Sequence, residues 1–350
     1  MAIKQKITVA VSGLNNIDSP GPGIPVIRAL KESKDFEVRI IGLSYETLEP
    51  GLYMHNLVDK SYQIPLPGSG IDSLMERLNY INAQEKIDVI IPNFDAELAN
   101  FMKIENRLKS ELGINMFLPT QEQFDERHKA NLYEFGEKHQ VHVPFSKMMF
   151  STAEIPTIAN EFTYPMVVKG KFYEAYIAYN AEQVGNYFNK LSTKWGLPII
   201  IQEYVFGSEV NVTALGDGKG NAISAVPMRK LFITDKGKAW AGISLDDDEL
   251  VNIAKNVISS SKWRGGMELE FIKTAENKYY LLEINPRFPA WVYLAAGCGH
   301  NQPEALVKLA LNLPVEPFGD YEIGKMFIRY SYDMIVDLKE FEQISTIGEL

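Results

Sequence analysis

The first 120 residues limit the fold most tightly. Short apolar runs alternate there with helical periodicity, at 6–12, 24–31, 36–42, 71–84 and 89–92. Strands that alternate with helices pair in parallel, because each return to the same edge of a sheet needs a crossover, and the crossovers cover both faces. The turn after the first run holds Gly13, Gly21 and Gly23 together with Pro20 and Pro22. Their spacing is not G-x-G-x-x-G, which disfavours a nicotinamide-type dinucleotide loop. A tight strand-to-helix turn fits better, with anion binding by the amides of the following helix start as the alternative.

Pro119 breaks the pattern and predicts a boundary at 118–121. Beyond it, 122–139 carries helical periodicity. Strands follow at 143–150, 165–169 and 176–179, with a helix at 181–191, making a small α+β unit. From Pro198 the chain reads as β-rich, with strands at 199–204, 209–215 and 222–227 and a helix at 247–260. Strands at 266–272 and 279–285 flank a hairpin turn at 276–278. A helix at 303–311 and an alternating strand around 325–336 complete the chain, which has no internal repeat and no low-complexity tract.

Composition excludes several classes of function. The 350 residues carry 35 Lys+Arg against 45 Asp+Glu, a net charge of −10, so no global positive field draws the chain to nucleic acid or to an anionic membrane. Cys298 is the single cysteine, which rules out an internal disulfide or a thiolate zinc cluster and favours a reducing, cytoplasmic compartment. The apolar run near the amino terminus is too short for a signal-peptide core, and no segment approaches the roughly 20 apolar residues that span a bilayer. The five histidines are dispersed with no zinc spacing, and His128, His139 and His142 read as surface or cap residues. Cys298, in AAGCGH, reads as a small buried residue rather than a nucleophile, since no base is positioned beside it.

The chemistry concentrates in two adjacent strands, MELEF and YLLEINPR. Alternation puts Glu268 and Glu270 on one face of the first strand, and Glu283 and Asn285 on one face of the second. If the strands pair as a hairpin, Glu270, Glu283 and Asn285 converge. Two carboxylates and an amide oxygen suit Mg²⁺, which takes one or two carboxylates and completes its shell with phosphate oxygens and water. A solvated strand face is the plainer alternative, and carboxylates set in otherwise apolar strands fit it poorly.

GGMELEF followed by LLEINPR resembles the metal-binding hairpin of the ATP-grasp superfamily, the fold of biotin carboxylase, the carbamoyl phosphate synthetase large subunit and D-alanine:D-alanine ligase. The resemblance implies an ATP-grasp fold preceded by a parallel-sheet pre-ATP-grasp domain, α/β and α+β in class. Its segments are 1–119, then 120–197 and 198–350 as the two halves of the grasp. It further implies that Glu270 and Glu283 bridge Mg²⁺, with Mn²⁺ as the alternative ion, that Asn285 completes the second metal site, and that Arg287 contacts phosphate or an acyl phosphate. Lys129, in HKANLYEF ahead of VHVP, resembles the first nucleotide lysine of the family. Lys169, ending YPMVVK, resembles the second. IQEYVFGSE resembles the hinge at which the backbone of Glu203, Tyr204 and Val205 reads adenine and Glu209 holds the ribose, with Gln202 where relatives often carry Glu.

Arg229 and Lys230 follow the strand AVPM and suit neutralisation of γ-phosphate charge; a surface loop explains them equally well. DVIIPNFDAEL resembles the acceptor side of the pre-ATP-grasp domain, where Asp95 and Glu97 are candidates for an amine substrate, with helix N-terminal acidity as the competing explanation. The chain departs from the family after Lys169: a short GKFYEAY stands in place of a glycine-rich loop, with Lys171 as its candidate phosphate contact.

What the resemblance implies is an ATP-dependent carboxylate–amine ligase that makes an acyl phosphate and then an amide or peptide bond, releasing ADP and phosphate. Its substrates are a small carboxylate and an amine or peptide, and a homodimer is compatible with it. Carbamoyl-phosphate-synthetase-like or carboxylase activity on bicarbonate is the nearer alternative, disfavoured by the lack of a biotin carrier, a second synthetase half or a glutaminase segment in this sequence. A non-catalytic ATP-binding regulator is the more distant one, favoured by the short loop.

Overall fold

The computed structural model describes residues 4–15, 20–171, 174–234 and 237–350. They fall into two compact units. One comprises 1–121, 211–268 and 285–350; the other comprises 122–210 and 269–284.

The first unit opens with a four-stranded parallel sheet in the order β3-β2-β1-β4, formed by β1 (Gln5–Val11), β2 (Phe36–Ser44), β3 (Lys60–Gln63) and β4 (Val89–Ile91). Val9 stands opposite Ile40 on one side and Val89 on the other. Val9, Val11, Ile40, Ile41 and Ile90 are fully buried, as a sheet covered on both faces requires. Helices α1 (Gly23–Lys31), α2 (Ile71–Glu85) and α3 (Asp95–Arg107) make the crossovers. The glycines ahead of α1 have a steric cause. A Cβ on Gly23 would lie 2.2 Å from the Ser12 carbonyl oxygen, and one on Gly21 would lie 2.4 Å from that of Gly13. Close backbone approach accounts for them without a ligand.

The second unit begins with α4 (Gln121–Glu126) and α5 (Leu132–His139). Its sheet, in the order β5-β8-β6-β7, is antiparallel and consists of β5 (Ser146–Met149), β6 (Met166–Lys169), β7 (Ala175–Ala178) and β8 (Ile199–Glu203). Helices α6 (Ile155–Glu161) and α7 (Ala181–Trp195) lie with it around a core that includes Met166, Val168, Val184, Leu191, Ile199 and Ile201. A further sheet, in the order β13-β12-β9-β10-β11-β14, is built from β9 (Ser208–Asp217), β10 (Ala222–Ile233), β11 (Ala239–Ser244), β12 (Arg264–Lys273), β13 (Tyr279–Asn285) and β14 (Met326–Ile328). Strands β9, β12 and β13 each contribute residues to both units. Helix α8 (Asp248–Ser261) precedes β12, and α9 (Tyr293–Gly297), α10 (Gln302–Ala310) and α11 (Leu338–Ile347) complete the chain.

Three expectations need correction. The division into 1–119, 120–197 and 198–350 does not follow the compact units, because one hydrophobic core joins Val9, Ile27 and Ile40 to Leu215, Phe288, Val292 and Leu306. Arg264 reinforces that union by donating to Glu105 at 2.7 Å and to the Met116 carbonyl at 3.3 Å. The periodicity over 122–139 is two helices rather than one. Between them the His128 N–H donates to Asp125 O at 3.3 Å and the Asn131 N–H to His128 O at 2.8 Å, closing turns that interrupt the helix. The strand expected around 325–336 is confined to β14. Ile328 lies opposite Ala241, so residue 330 would face Ala239, where β11 begins, and the chain beyond has no strand to pair with.

Candidate functional site

In the second unit, Lys129 stands in the turn between α4 and α5, and its Nζ lies 3.2 Å from Oε2 of Glu283 on β13. Lys169 ends β6, in register with Ile200 of β8 and Ala175 of β7, so two neighbouring strands hold its backbone. Burial, reinforced by the like charge of Lys129, pushes its ammonium down to about 8 against the opposing pull of Glu283 and Glu270. Lys129, Lys169, Glu270 and Glu283 are thus one electrostatically coupled group, with two cations facing two carboxylates. Sequence put the lysines on separate segments, and the fold brings both to the acidic hairpin.

The hinge residues lie at the end of β8. The Glu203 N–H donates to Phe145 O at 2.8 Å, and a Glu203 carboxylate oxygen accepts from the Phe145 N–H at 3.3 Å. These bonds tie the hinge to the segment before β5, and any adenine contact of Glu203 falls to its carbonyl. Tyr204 and the exposed Phe206 meet edge to face at 4.7 Å, and Glu209 is exposed. Lys171 is exposed as well; Phe172 and Tyr173, the middle of the short loop, lie outside the described residues.

In the first unit, Arg287 follows β13 and is held on three sides. Its Nε lies 2.7 Å from Oδ1 of Asp95, Nη1 donates to Phe288 O at 3.3 Å, and Nη2 donates to Oδ1 of Asn285 at 3.4 Å. Asp95, read from sequence as an amine-binding candidate, is thereby the counter-ion of the phosphate-binding candidate. Glu97 is a different matter. It is fully buried, and its carboxylate accepts from the backbone N–H groups of Asn93 at 2.7 Å and Phe94 at 3.0 Å, and from the hydroxyls of Ser12 and Tyr45. Burial pushes its carboxyl up. Glu97 pins the loop that enters α3, and the structure corrects its assignment to a substrate. We expect Glu97→Ala to cost about 2 kcal/mol, because the half-buried Phe94 N–H loses its acceptor, the Asn93 N–H keeps only the Ser12 hydroxyl oxygen, and the Ser12 and Tyr45 hydroxyls lose the carboxylate. Urea denaturation checks this, and an unchanged midpoint would show that the network carries no stability.

Arg229 and Lys230 are not in a loop but within β10, opposite Ile243 and Gly242. Arg229 is exposed, and Lys230 reaches the Gly237 carbonyl at 3.4 Å. His139 corrects a further expectation: it is buried, its ring tilted against that of Phe135 with centroids 4.3 Å apart, and burial lowers its imidazole pKa. Cys298 is buried, and burial pushes its thiol up, as an inert core residue requires.

Sequence reading left Glu268 without a role. It is buried, and its carboxylate accepts from Asn211 Nδ2 at 3.0 Å, Trp291 Nε1 at 2.7 Å and Asn285 Nδ2 at 3.0 Å. Its charge also attracts half-buried Arg329, whose guanidinium burial lowers to about 10. Among the described residues no group of three or more His, Cys, Asp or Glu is placed to hold a metal ion. The donor set at issue is two carboxylates and one amide oxygen, which leaves most of a hard ion's shell to substrate oxygens and water.

Comparison with known proteins gives this arrangement its class. Residues 197–326 match the family described as "ATP-grasp in the biosynthetic pathway with Ter operon". The carbamoyl phosphate synthase large chain of Agathobacter rectalis is 23% identical over 256 residues, covering 66% of this chain and 22% of the relative. This chain spans about a quarter of the length of the curated relatives it matches. Biotin carboxylase from Campylobacter jejuni, solved as a beta-gamma-ATP complex, superposes with a TM-score of 0.70 at 16% identity, over 91% of this chain and 74% of that one. An L-amino acid ligase from Bacillus licheniformis does so with a TM-score of 0.63 at 15% identity, over 90% and 76%. The chain has the ATP-grasp fold. Within it, residues 197–326, from β8 to the start of β14, also carry an ATP-grasp sequence pattern.

No helix among the described residues is long and apolar enough to cross a membrane.

Proposed function

We propose that this protein is an ATP-dependent carboxylate–amine ligase. The observation that carries the reading is the coupled group in the second unit, in which Lys129 and Lys169 face Glu270 and Glu283. Two ammonium groups provide point charges for phosphate oxygens, and the carboxylates supply oxygen ligands for a hard cation. All the nucleotide candidates, Lys129, Lys169, Lys171, Glu203, Tyr204, Val205 and Glu209, belong to that one unit.

The residues fit a divalent ion, because every donor is oxygen and Glu283 already holds a cationic partner at 3.2 Å. Glu270, Glu283 and Asn285 would hold Mg²⁺, or Mn²⁺ in its stead. When bound, the ion neutralises triphosphate charge and polarises the γ-phosphoryl group. Lys129 and Lys169 bind phosphate oxygens and orient the γ-phosphorus towards the substrate carboxylate. A carboxylate oxygen attacks it, the bond to the β–γ bridging oxygen breaks, and ADP leaves. Arg287, its Nε side held by Asp95 at 2.7 Å, stabilises the acyl phosphate. The amine nitrogen then attacks the acyl carbon, phosphate departs, and a proton is released as the amide forms. Positioning and electrostatics suffice, with no protein nucleophile.

Bicarbonate as the attacking oxygen acid is the second reading, supported by the likeness to a carbamoyl phosphate synthase large chain over 256 residues. The proposal extends to small-molecule substrates, a homodimeric assembly and a reducing, cytoplasmic compartment, the last supported by a single, buried cysteine. Incubation with ATP, Mg²⁺ and panels of amino acids, short peptides or bicarbonate, read by mass spectrometry, tests the function. Substrate-dependent ADP with an amide product is the expected result. AMP and pyrophosphate would mean attack at the α-phosphate and overturn it, while nucleotide binding without turnover on any panel would leave a regulator.

A further inference from the structure

We infer that Glu268 is a positioning residue that holds the NH₂ end of the Asn285 amide and so fixes its oxygen as the end that can ligate a metal. The inference rests on the proposed metal-binding role of Asn285.

Three of the roughly four acceptor sites of the Glu268 carboxylate are taken by side-chain donors. Glu268 is 6% exposed, and its two oxygens accept three hydrogen bonds, from Asn211, Trp291 and Asn285. What it imposes follows from donor chemistry. A carboxylate only accepts and an indole N–H only donates, so the corner of Glu268 that meets Asn285 admits a donor and nothing else. Asn285 therefore turns its NH₂ to Glu268 and its carbonyl oxygen to the opposite side. There the oxygen accepts from Nη2 of Arg287 at 3.4 Å. A hard cation takes an amide through oxygen and is repelled by the NH₂ end. An amide free to rotate would spend part of its time in the wrong orientation.

Glu268 and Asn285 are both buried, so a misplaced donor there has no water to turn to. A neutral amide at 268 presents either an oxygen or an NH₂, and so removes the selection. Asn211 Nδ2 and half-buried Arg329 meet Glu268 from other parts of the first unit, supplying a third donor and a compensating positive charge.

Mn²⁺ binding, measured by calorimetry and electron paramagnetic resonance in the presence of a nonhydrolysable ATP analogue, tests the inference directly. Glu268→Gln is expected to weaken Mn²⁺ binding at least tenfold, while affinity for the analogue in EDTA stays within twofold of wild type. Asn285→Asp is expected to weaken it too, because a second carboxylate then abuts Glu268. The double variant Glu268→Gln with Asn285→Asp restores one donor facing one acceptor, and its Mn²⁺ affinity is expected to exceed that of both single variants. Wild-type Mn²⁺ affinity in Glu268→Gln overturns the inference, as do losses that simply add in the double variant. If Glu268→Gln fails to fold, the comparison of the double variant with Asn285→Asp still decides. Glu283→Gln is measured alongside. If its Mn²⁺ affinity equals that of wild type, the metal reading itself is wrong; if Glu283→Gln weakens binding and Glu268→Gln does not, only the positioning role falls.

Discussion

Glu283→Gln is expected to lower turnover by roughly a hundredfold to a thousandfold while the protein remains folded. The substitution keeps the shape of the side chain and removes one negative charge from the group formed with Glu270, Lys129 and Lys169. Two effects follow, of very different size. The ion pair with Lys129 lies at a partly exposed position, with side chains 21% and 35% accessible, and such pairs contribute only about 0–1 kcal/mol to stability. Loss of a ligand charge acts on the transition state instead, where one electrostatic contact is worth roughly 10²–10³ in rate. Glutamine also loses bidentate reach to a cation, and Lys129 loses its ion pair with Glu283 at 3.2 Å. Steady-state ADP release across a Mg²⁺ titration, beside a thermal melt, checks both halves. Wild-type activity with wild-type Mg²⁺ dependence would sink the assignment of the metal ligands, and a collapsed melt with intact residual kinetics would make Glu283 a structural residue.

Local patterns reveal some features of this chain, and others depend on partners far away in sequence. The parallel sheet is legible because strand segments covered on both faces must be apolar without a break, as 9–11 of β1, 40–43 of β2 and the whole of β4 are. Lys169 is legible for a related reason: a charge closing the run Met166–Val168 contradicts its surroundings. The break beneath Lys129 is not legible. Apolar periodicity continues across it through Phe124, Leu132 and Phe135, while the turn bonds of His128 and Asn131 that stop the helix are local and use ordinary residues. Glu268 and Glu270 share a strand face, so alternation cannot tell them apart. What separates them is that Glu268 meets Trp291 and Asn211, 23 and 57 residues away. Similarly, Asp95 and Glu97 look alike at the start of α3. One is the counter-ion of Arg287, and the other is bound to the loop beneath it.

Lys169→Met is expected to weaken binding of a nonhydrolysable ATP analogue on the order of tenfold to a hundredfold at pH 7, matching the roughly 1.5–3 kcal/mol of a hydrogen bond to a charged group. Methionine keeps most of the aliphatic stem and its packing beside Val168, so the fold has little to lose. The proton linkage points the same way. The Lys169 pKa is lowered from 10.5 in the unfolded chain to about 8 in the fold, so between these values the unfolded state holds more protons and stability rises with pH. Below pH 8 the burial penalty on the ammonium is fully present, and its removal leaves stability at pH 7 equal or higher. Nucleotide binding runs in the opposite direction. Phosphate favours the charged amine, so analogue affinity of the wild type is expected to fall as pH rises through 8, by up to a factor of ten per pH unit. In Lys169→Met that slope is expected to vanish. Calorimetric titrations at pH 7, 8 and 9, with melts of the free protein at each pH, separate the possibilities. An unchanged affinity with a lowered melting point would make Lys169 a structural charge, and a pH slope that survives in the variant would assign the titrating group elsewhere.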